Sequence, residues 1–528
     1  MRRNIFLSII LLVLFSSGFV FASGDKEDSG AAESDVPVLE VIADLQWSAD
    51  PMKSKEFEIY NSLAKKEGFS IKWVMPPHSN YIEKLNVLFA SGNVPDVVWD
   101  DRLHDRQASG YLIPVDKYKE QYQEKLSGWI PEVAWDFMRL GDHYWAFPNP
   151  RADIGRRGDM IRSDWLENLG LEMPETVEDI KTVFDAFTYG DPDGNGVDDT
   201  YAASFRKDWG WFDGFHGAFD LQSYWWPAYY MPVDVIDGKL KLQYTQQKFK
   251  DYLAFMQELW TEGYFDPNSF LNSGAQWGEM WKTGKTGYIH HYSYRAKTGF
   301  TQTTREISGN EKATWEAVIP HISGPYGQGS TTDSPTGRML MITTKAEDPD
   351  LAAKYVAWSI AKNDELQEFL KWGVEGKHYI MKDGERYRNP ILWGYANNDD
   401  ARLGTEDMFD TSIERPSFGR LPAFTFYGKV SDDPQWQSAK FGEYGSWVLE
   451  QNRRYVNPLN TVLLGKPNLE EEKNIPEMRK IVLEHTTKVI LSNESVDEGF
   501  NRMVAELNNV GLQEMMQARQ KWYDENKK

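Results

Sequence analysis

Between Val38 and Val98, apolar runs of strand length alternate with amphipathic helical stretches, and that alternation restricts the fold more than any other feature of the chain. VLEVIADLQW carries Val38, Val41 and Ile42 and reads as a buried strand leading to Trp47. Residues Lys53 to Glu67 place Phe57, Tyr60 and Leu63 at helical spacing, and IKWVMP follows as a second strand. YIEKLNVLFASG sets Leu85, Leu88 and Phe89 on one helix face, and NVPDVVWDDR holds a third strand. Strand, helix, strand, helix, strand is the pattern of a parallel sheet with right-handed crossovers. In such a sheet ligands bind beyond the carboxyl ends of the strands. Trp47 and Trp99 fall there by that rule, with Asp100, Asp101 and Arg102 beside them.

A second folding unit opens at Met160. Met160 and Ile161 are strand-like, and Asp164 is placed to cap a helix whose Trp165, Leu166 and Leu169 share a face before Gly170 stops it. Thr176 with Asp179 three residues on forms a weak capping box for a second helix carrying Val177, Ile180, Val183, Phe184 and Phe187. That helix runs into a loop in which Asp191, Asp193, Asn195, the carbonyl of Val197, and Asp199 fall on alternate residues, with Gly196 at the sixth position. Ca²⁺ takes six to eight hard oxygens, and an EF-hand-type loop offers them at this spacing. The twelfth position, where a bidentate Glu is usual, is Ala202. An Asp/Gly-rich turn without metal is the competing reading, because both residue types favour turns.

The densest aromatic tract lies between Trp209 and Tyr230: Trp209 and Trp211 in WGWF, then Trp225 and Trp226 in YWWPAYY. Rings this crowded in a polar, Gly-containing setting suit the stacking of pyranose C–H faces better than a periodic core. GEMWKTGKTGYIHHYSYR supplies a helix end and a strand opening at Tyr288, so that His291, Tyr292 and Tyr294 emerge at a strand terminus. KFKDYLAFMQELW places Tyr252, Leu253, Met256 and Leu259 at helical spacing. Near the C-terminus Phe500, Met503, Val504 and Leu507 form one stripe behind a Ser495–Glu498 capping box.

Length, charge and cysteine usage narrow the class. At 528 residues the chain is too long for one compact domain, so two lobes are expected. Residues 1–22, with Arg2 and Arg3 before an apolar run from Ile5 to Phe15, read as a cleaved secretory signal; a transmembrane anchor is the alternative, but the run falls short of about 20 residues. Residues 23–37 read as a flexible acidic leader. There is no cysteine, which removes disulfides, a thiol nucleophile and a diacylated N-terminal Cys anchor. A net charge of −22 disfavours nucleic acid and anionic membrane as partners, and also a polyanionic ligand such as alginate unless a local basic pocket overrides the global sign.

Several phrases resemble family 1 extracellular solute-binding proteins of ATP-driven importers. They are IRSDWLENLGLEMPETVED with DPDGNGVDDT, the Gly92–Val98 phrase followed by GYLIPVD from Gly110, HYWAFPNP from His143, and WGVEGKHY from Trp372. The match is to the branch of alginate-oligosaccharide-binding proteins and oligosaccharide-binding lipoproteins, and it spans most of the chain from residue 38 onward. It implies an α/β, two-lobed periplasmic-binding-protein fold of the maltose-binding-protein-like class II, each lobe a mixed, mainly parallel sheet flanked by helices. Lobe 1 would be 38–148 plus about 325–400, and lobe 2 about 149–324 plus about 401–528. The resemblance implies sugar contacts for Asp101 and Arg102, a stacking place for Tyr294, a cleft position for Trp372, and a structural calcium at the loop. It implies an oligosaccharide ligand, membrane permease subunits as partners, a periplasmic monomer and no catalysis. A secreted glycoside hydrolase with paired carboxylates remains the alternative, and a calcium-bearing surface protein a third class.

Overall fold

The computed structural model describes residues 36–44, 55–77, 80–127, 130–149, 157–207, 214–222, 231–329, 336–360, 364–376, 378–388, 434–455 and 462–527. β1 (Val38–Ile42), α1 (Lys55–Lys66), β2 (Ser70–Val74), α2 (Tyr81–Ser91) and β3 (Val97–Asp100) follow the order read from the periodicity. β1 lies between β2 and β3 and runs parallel to both. α2 buries Tyr81, Leu85 and Phe89, one residue per turn, against this sheet. α3 (Leu103–Ala108) leaves the end of β3.

The second sheet begins with β4 (Arg157–Arg162), then α4 (Ser163–Leu169) and α5 (Val177–Tyr189). Gly170 ends α4 at φ +67°, a conformation that costs a residue with a β-carbon far more. The Thr176–Asp179 box is formed in both directions: the Asp179 N–H donates to Thr176 Oγ1 at 3.1 Å, and the Thr176 N–H donates to Asp179 Oδ2 at 3.0 Å. Asp164 does something other than cap. It lies inside α4, accepts from Arg162 at 2.8 and 2.6 Å and from the Thr314 N–H at 3.0 Å, and so ties the helix to a neighbouring segment.

β5 (Tyr201–Ala203), α6 (Gln247–Thr261), α7 (Gly274–Lys282), β6 (Thr286–Tyr292) and β7 (Trp315–Ala317) complete this half. Gly287 lets β6 approach the helices: a β-carbon there would stand 2.3 Å from Phe187 and 2.5 Å from Trp165. The strand order is β7, β4, β6, β5, with β4 antiparallel to both neighbours and β5 parallel to β6. The first sheet is thus mainly parallel, whereas the second is mixed with more antiparallel pairing. β4 is entered from the other half of the molecule and not through a crossover helix within its own sheet, so nothing imposes a parallel direction on it.

β8 (Met339–Ile342) returns to the first sheet as an edge strand antiparallel to β3, and α8 (Pro349–Ile360) follows it. α9 (Pro434–Tyr455), α10 (Ile475–Leu491), α11 (Val496–Asn509) and α12 (Leu512–Asn526) close the chain. Two large cores result. One gathers Val41, Ile42, Tyr60, Val98, Leu340 and Val356, and the other Ile161, Trp165, Phe184, Tyr288, Val482 and Met503. α11 joins the second core through buried Met503 and Leu507 with half-buried Phe500 and Val504 against it, as its stripe requires. The expected Ser495–Glu498 box is not formed, since Ser495 makes no side-chain cap bond. α9 touches both halves: Leu449 enters the first core, while Asn452 Nδ2 donates to Ser293 Oγ at 2.9 Å in the second. Among the described residues no helix is long and apolar enough to cross a membrane.

Candidate functional site

At the carboxyl ends of β1 and β3 the first half collects charge in closed pairs. Asp100 is fully buried and accepts from Arg102 Nη2 at 3.0 Å and Arg106 Nε at 2.6 Å. Burial alone would raise its carboxyl pKa, but the two guanidinium charges outweigh burial and hold it below the usual range. Arg102 is therefore engaged by Asp100. Asp101 instead lies 3.9 Å from Arg338 Nε, and burial, reinforced by the charge of Asp100 and opposed by Arg338, pushes its pKa up to about 6. Arg338 also pairs with buried Asp44 and lies over the rings of Tyr81 and Trp99, 5.1 and 5.3 Å from their centroids. Trp99 Nε1 donates to the Arg338 carbonyl at 2.9 Å, so this indole, expected as a sugar platform, is half-buried in the support of Arg338.

The second half arranges its strand end differently. β6 delivers its carboxyl end at Tyr292. Antiparallel β4 brings its amino end to the same edge with Arg157 opposite Tyr292, and parallel β5 leads on to Arg206. His290 turns inward: its Nδ1 lies 2.8 Å from Asp159 Oδ1, which also accepts from the Tyr288 hydroxyl. His291 is framed by Trp277, stacked at 5.6 Å, and Phe300 at 5.2 Å. Burial first, then the charges of Arg295 and Arg157, hold the His291 imidazole well below its ordinary pKa, which leaves it neutral. Arg206 is also lowered, by burial and then by Arg157. Tyr292 and Tyr294 stack with centroids 6.2 Å apart and planes 25° from parallel, and Tyr294 packs against the first core. The two halves therefore meet at this tyrosine pair.

Other expected positions resolve as follows. Trp372 is 3% exposed, with its ring against Tyr379 and under Arg386, so it presents no open face to a ligand. The phrase around it is a local fastening: the Val374 N–H donates to Nδ1 of buried His378 at 2.8 Å. Trp47, Trp209, Trp211, Trp225 and Trp226 lie outside the described residues. Sequence reading did not single out Asp44, Arg338, Arg157, Arg206 or Arg295, which long-range strand pairing brings to the two strand ends.

A cavity of about 450 Å³ has His104, Arg139, Gln222, Thr336 and Lys466 among its lining residues. On its wall Arg519 Nε donates to Glu472 Oε1 at 2.7 Å and Lys466 pairs with the other carboxylate oxygen. Burial brings the Lys466 ammonium down to about 8 against the pull of Glu472. The segment is bonded to both halves, through the Gly141 N–H to Gly465 O at 3.1 Å and through Arg519 Nη1 to Met231 O at 2.8 Å.

In the Asp/Gly loop, Asp191 takes the Asn195 and Gly196 N–H groups at 3.1 and 3.0 Å, so the chain wraps around this carboxylate. The Asn195 amide reaches Asp193 at 2.9 Å and Asp199 at 3.4 Å. Burial raises the Asp193 pKa, and the neighbouring Asp199 and Asp191 charges add to this. A carboxylate raised by its acidic neighbours fits a hard cation by donor type and by charge. Among the described residues, however, no three acidic or imidazole side chains converge closely enough to hold a metal ion. Ala202 at the twelfth position is buried in β5, with its N–H bonded to Thr188 Oγ1 at 3.2 Å.

Comparison with known proteins places this architecture. Residues 53–362 match the family described as bacterial extracellular solute-binding protein. Lipoprotein LipO of Bacillus subtilis is 28% identical over 68% of this chain and 71% of its own length. The fructooligosaccharide ABC transporter substrate-binding protein FusA of Streptococcus pneumoniae is 25% identical over 90% of this chain and 88% of its own. An EF-hand mutant of FusA in complex with fructo-nystose superposes with a TM-score of 0.63 at 20% identity, covering 92% of this chain and 99% of that one. Alginate-binding protein AlgQ2 without calcium ion superposes at 0.69 and 18% identity, covering 93% and 98%. The match over more than half of the sequence, carried by the same two-sheet fold, makes this chain a member of the bacterial extracellular solute-binding protein family.

Proposed function

We propose that the chain is the capturing subunit of an ATP-driven importer, taking an oligosaccharide between its two halves and passing it unaltered to membrane permease subunits. The observation that carries this is the second strand end, where the stacked Tyr292–Tyr294 pair, His291 and a set of guanidinium donors meet the first core. Flat rings beside fixed polar groups suit a sugar, whose rings stack and whose hydroxyls need donors and acceptors. FusA and AlgQ2 are named for fructooligosaccharide and alginate, both saccharides. The halves act as lobes, 38–148 with about 325–400 and 149–324 with about 401–528, and close on the ligand; only contacts made better in the closed form shift that equilibrium. In the same proposal the chain is a periplasmic monomer released from its signal segment, and with no cysteine in the sequence it offers no site for a diacylated N-terminal Cys.

A calorimetric screen of defined oligosaccharides, with reducing ends assayed in parallel, tests this reading. Saturable binding without new ends is expected; steady release of ends would transfer the chain to the glycoside hydrolases. In the same proposal the 191–199 loop takes a structural Ca²⁺ through Asp191, Asp193, Asn195, the Val197 carbonyl and Asp199. Chelation then lowers the melting temperature, because an ion at a hundredfold excess over its Kd stabilises the native state by about 2.7 kcal/mol. An unchanged melting temperature in chelator would count against the site.

A further inference from the structure

We propose that the cavity of about 450 Å³ is a second ligand site, and that it takes a small amphipathic monocarboxylate, with the carboxylate on Arg139 and the apolar body between the two halves. Among the described residues neither Tyr292 nor Tyr294 nor His291 lines this cavity. The site therefore goes beyond the sugar-capture reading and does not depend on it.

Three parts of the chain build the cavity. Phe137, Arg139 and Leu140 come from the first half, Val233 from the second, and Leu463 and Ile475 from the segment that is bonded to both. That segment also fixes Arg139. A parallel bridge joins Leu140 to Gly465, and the Gly141 N–H donates to Gly465 O at 3.1 Å. Gly465 turns at φ +78°, and a β-carbon there would stand 2.6 Å from Arg139 Nη2, so the guanidinium lies directly against bare backbone.

Charge selects the head of the ligand. Of the other cations lining the cavity, Lys466 and Arg519 share Glu472, and Lys473 holds Glu470. Asp105, the remaining acidic residue of the lining, is exposed on α3. Burial first, then the charge of Lys466, hold the His104 imidazole at about 3, which leaves it neutral. Arg139 makes no ion pair among the described residues, and its Nε is buried without a hydrogen-bond partner. A carboxylate satisfies such a guanidinium best, because the planar fork meets it with two parallel bonds. The rest of the lining selects the body. It is largely apolar, and a cavity of this size and composition suits an aliphatic or aromatic group carrying one polar end. A sugar would press hydroxyls against these side chains, where burying them unpaired is costly.

The test is calorimetric titration of the full mature chain, with no sugar present, by octanoate and phenylbutyrate and by their neutral counterparts octanamide and phenylbutyramide. At least one carboxylate is expected to saturate a single site per chain and to bind at least tenfold more tightly than its amide. Arg139→Gln is expected to remove that preference, and Leu463→Trp, which fills the cavity from another side, to weaken acid and amide together. Arg139 has no carboxylate partner to lose, so Arg139→Gln should melt within a few degrees of the parent chain. Comparison of acid and amide on the unsubstituted chain keeps the result independent of whether either variant folds. No saturable binding of either carboxylate, equal affinity for acid and amide, or an unchanged preference in Arg139→Gln would overturn the site. Each of these failures would leave the oligosaccharide reading standing, since that reading is tested with sugars.

Discussion

Each half of the molecule ends its sheet in charged side chains, and the two ends follow different plans. In the first half the charges are matched locally: Asp100 holds Arg102 and Arg106, and Asp44 with Asp101 holds Arg338. In the second, Arg157, Arg206 and Arg295 share one edge with a neutral imidazole and a stacked tyrosine pair. Matched buried charges keep a framework in one geometry, and breaking one partner is expensive. The second end instead sets three guanidinium side chains beside a stacked tyrosine pair, so the two sheets use the same position differently.

The largest expected effect breaks the first plan. Asp100→Asn leaves two buried guanidiniums without their carboxylate and should cost about 3–5 kcal/mol of stability in urea unfolding. The neighbouring Asp101→Asn should be neutral or slightly stabilising at pH 7, since burial and Asp100 already disfavour its ionised form. If both variants behaved alike, the matched-pair description would fail.

Acid should act on the two ends with opposite signs. Burial keeps His321 in the second half neutral down to about pH 4, against an ordinary value of 6.5. Below 6.5 the unfolded chain takes up a proton that the folded chain refuses, so this contribution is complete above 6.5 and lost as the pH falls towards 4. The loss amounts to about 3 kcal/mol at about 1.4 kcal/mol per unit. Asp101 has the reverse sign: its folded pKa of about 6 lies above the ordinary carboxyl, so protonation between 6 and 4 favours the folded state. Stability profiles of His321→Gln and Asp101→Asn against pH should depart from the parent chain in opposite directions over this window. Parallel profiles would contradict the assignment.

The smallest effect concerns neither end. Thr176→Ala removes the acceptor for the Asp179 N–H and should cost about 1 kcal/mol, with ligand affinity unchanged. A change in affinity would mean that α5 contributes to the site in a way its position does not suggest.

What could be read from the sequence follows the range of the interactions involved. The helical faces of α2, α6 and α11 and the reciprocal cap of α5 are set by residues within a few positions of each other, and they stand as read. Local patterns also misled where a distant partner intervened. Asp164 has the type and place of a cap, yet Arg162 and the Thr314 N–H claim it. Trp372 sits in a conspicuous phrase, yet the hairpin 379–388 covers it. Asp101 and Arg102 are adjacent in sequence, but β8 brings Arg338 to Asp101 and Arg102 turns back to Asp100. The arginine edge was not legible at all, because Arg157, Arg206 and Arg295 share no motif and meet only through the pairing of β4, β5 and β6. Conversely, the charge pattern of the Asp/Gly loop lies wholly within nine residues, and its candidate ligands could be named one by one.

Small-angle X-ray scattering with and without a glycan shown by calorimetry to saturate the protein tests the capture mechanism most directly. Closure of the two halves around the sugar should lower the radius of gyration of the bound form and change the mid-angle profile. Superimposable profiles from the empty and saturated chain would contradict it, because the sugar would then be bound without drawing the halves together.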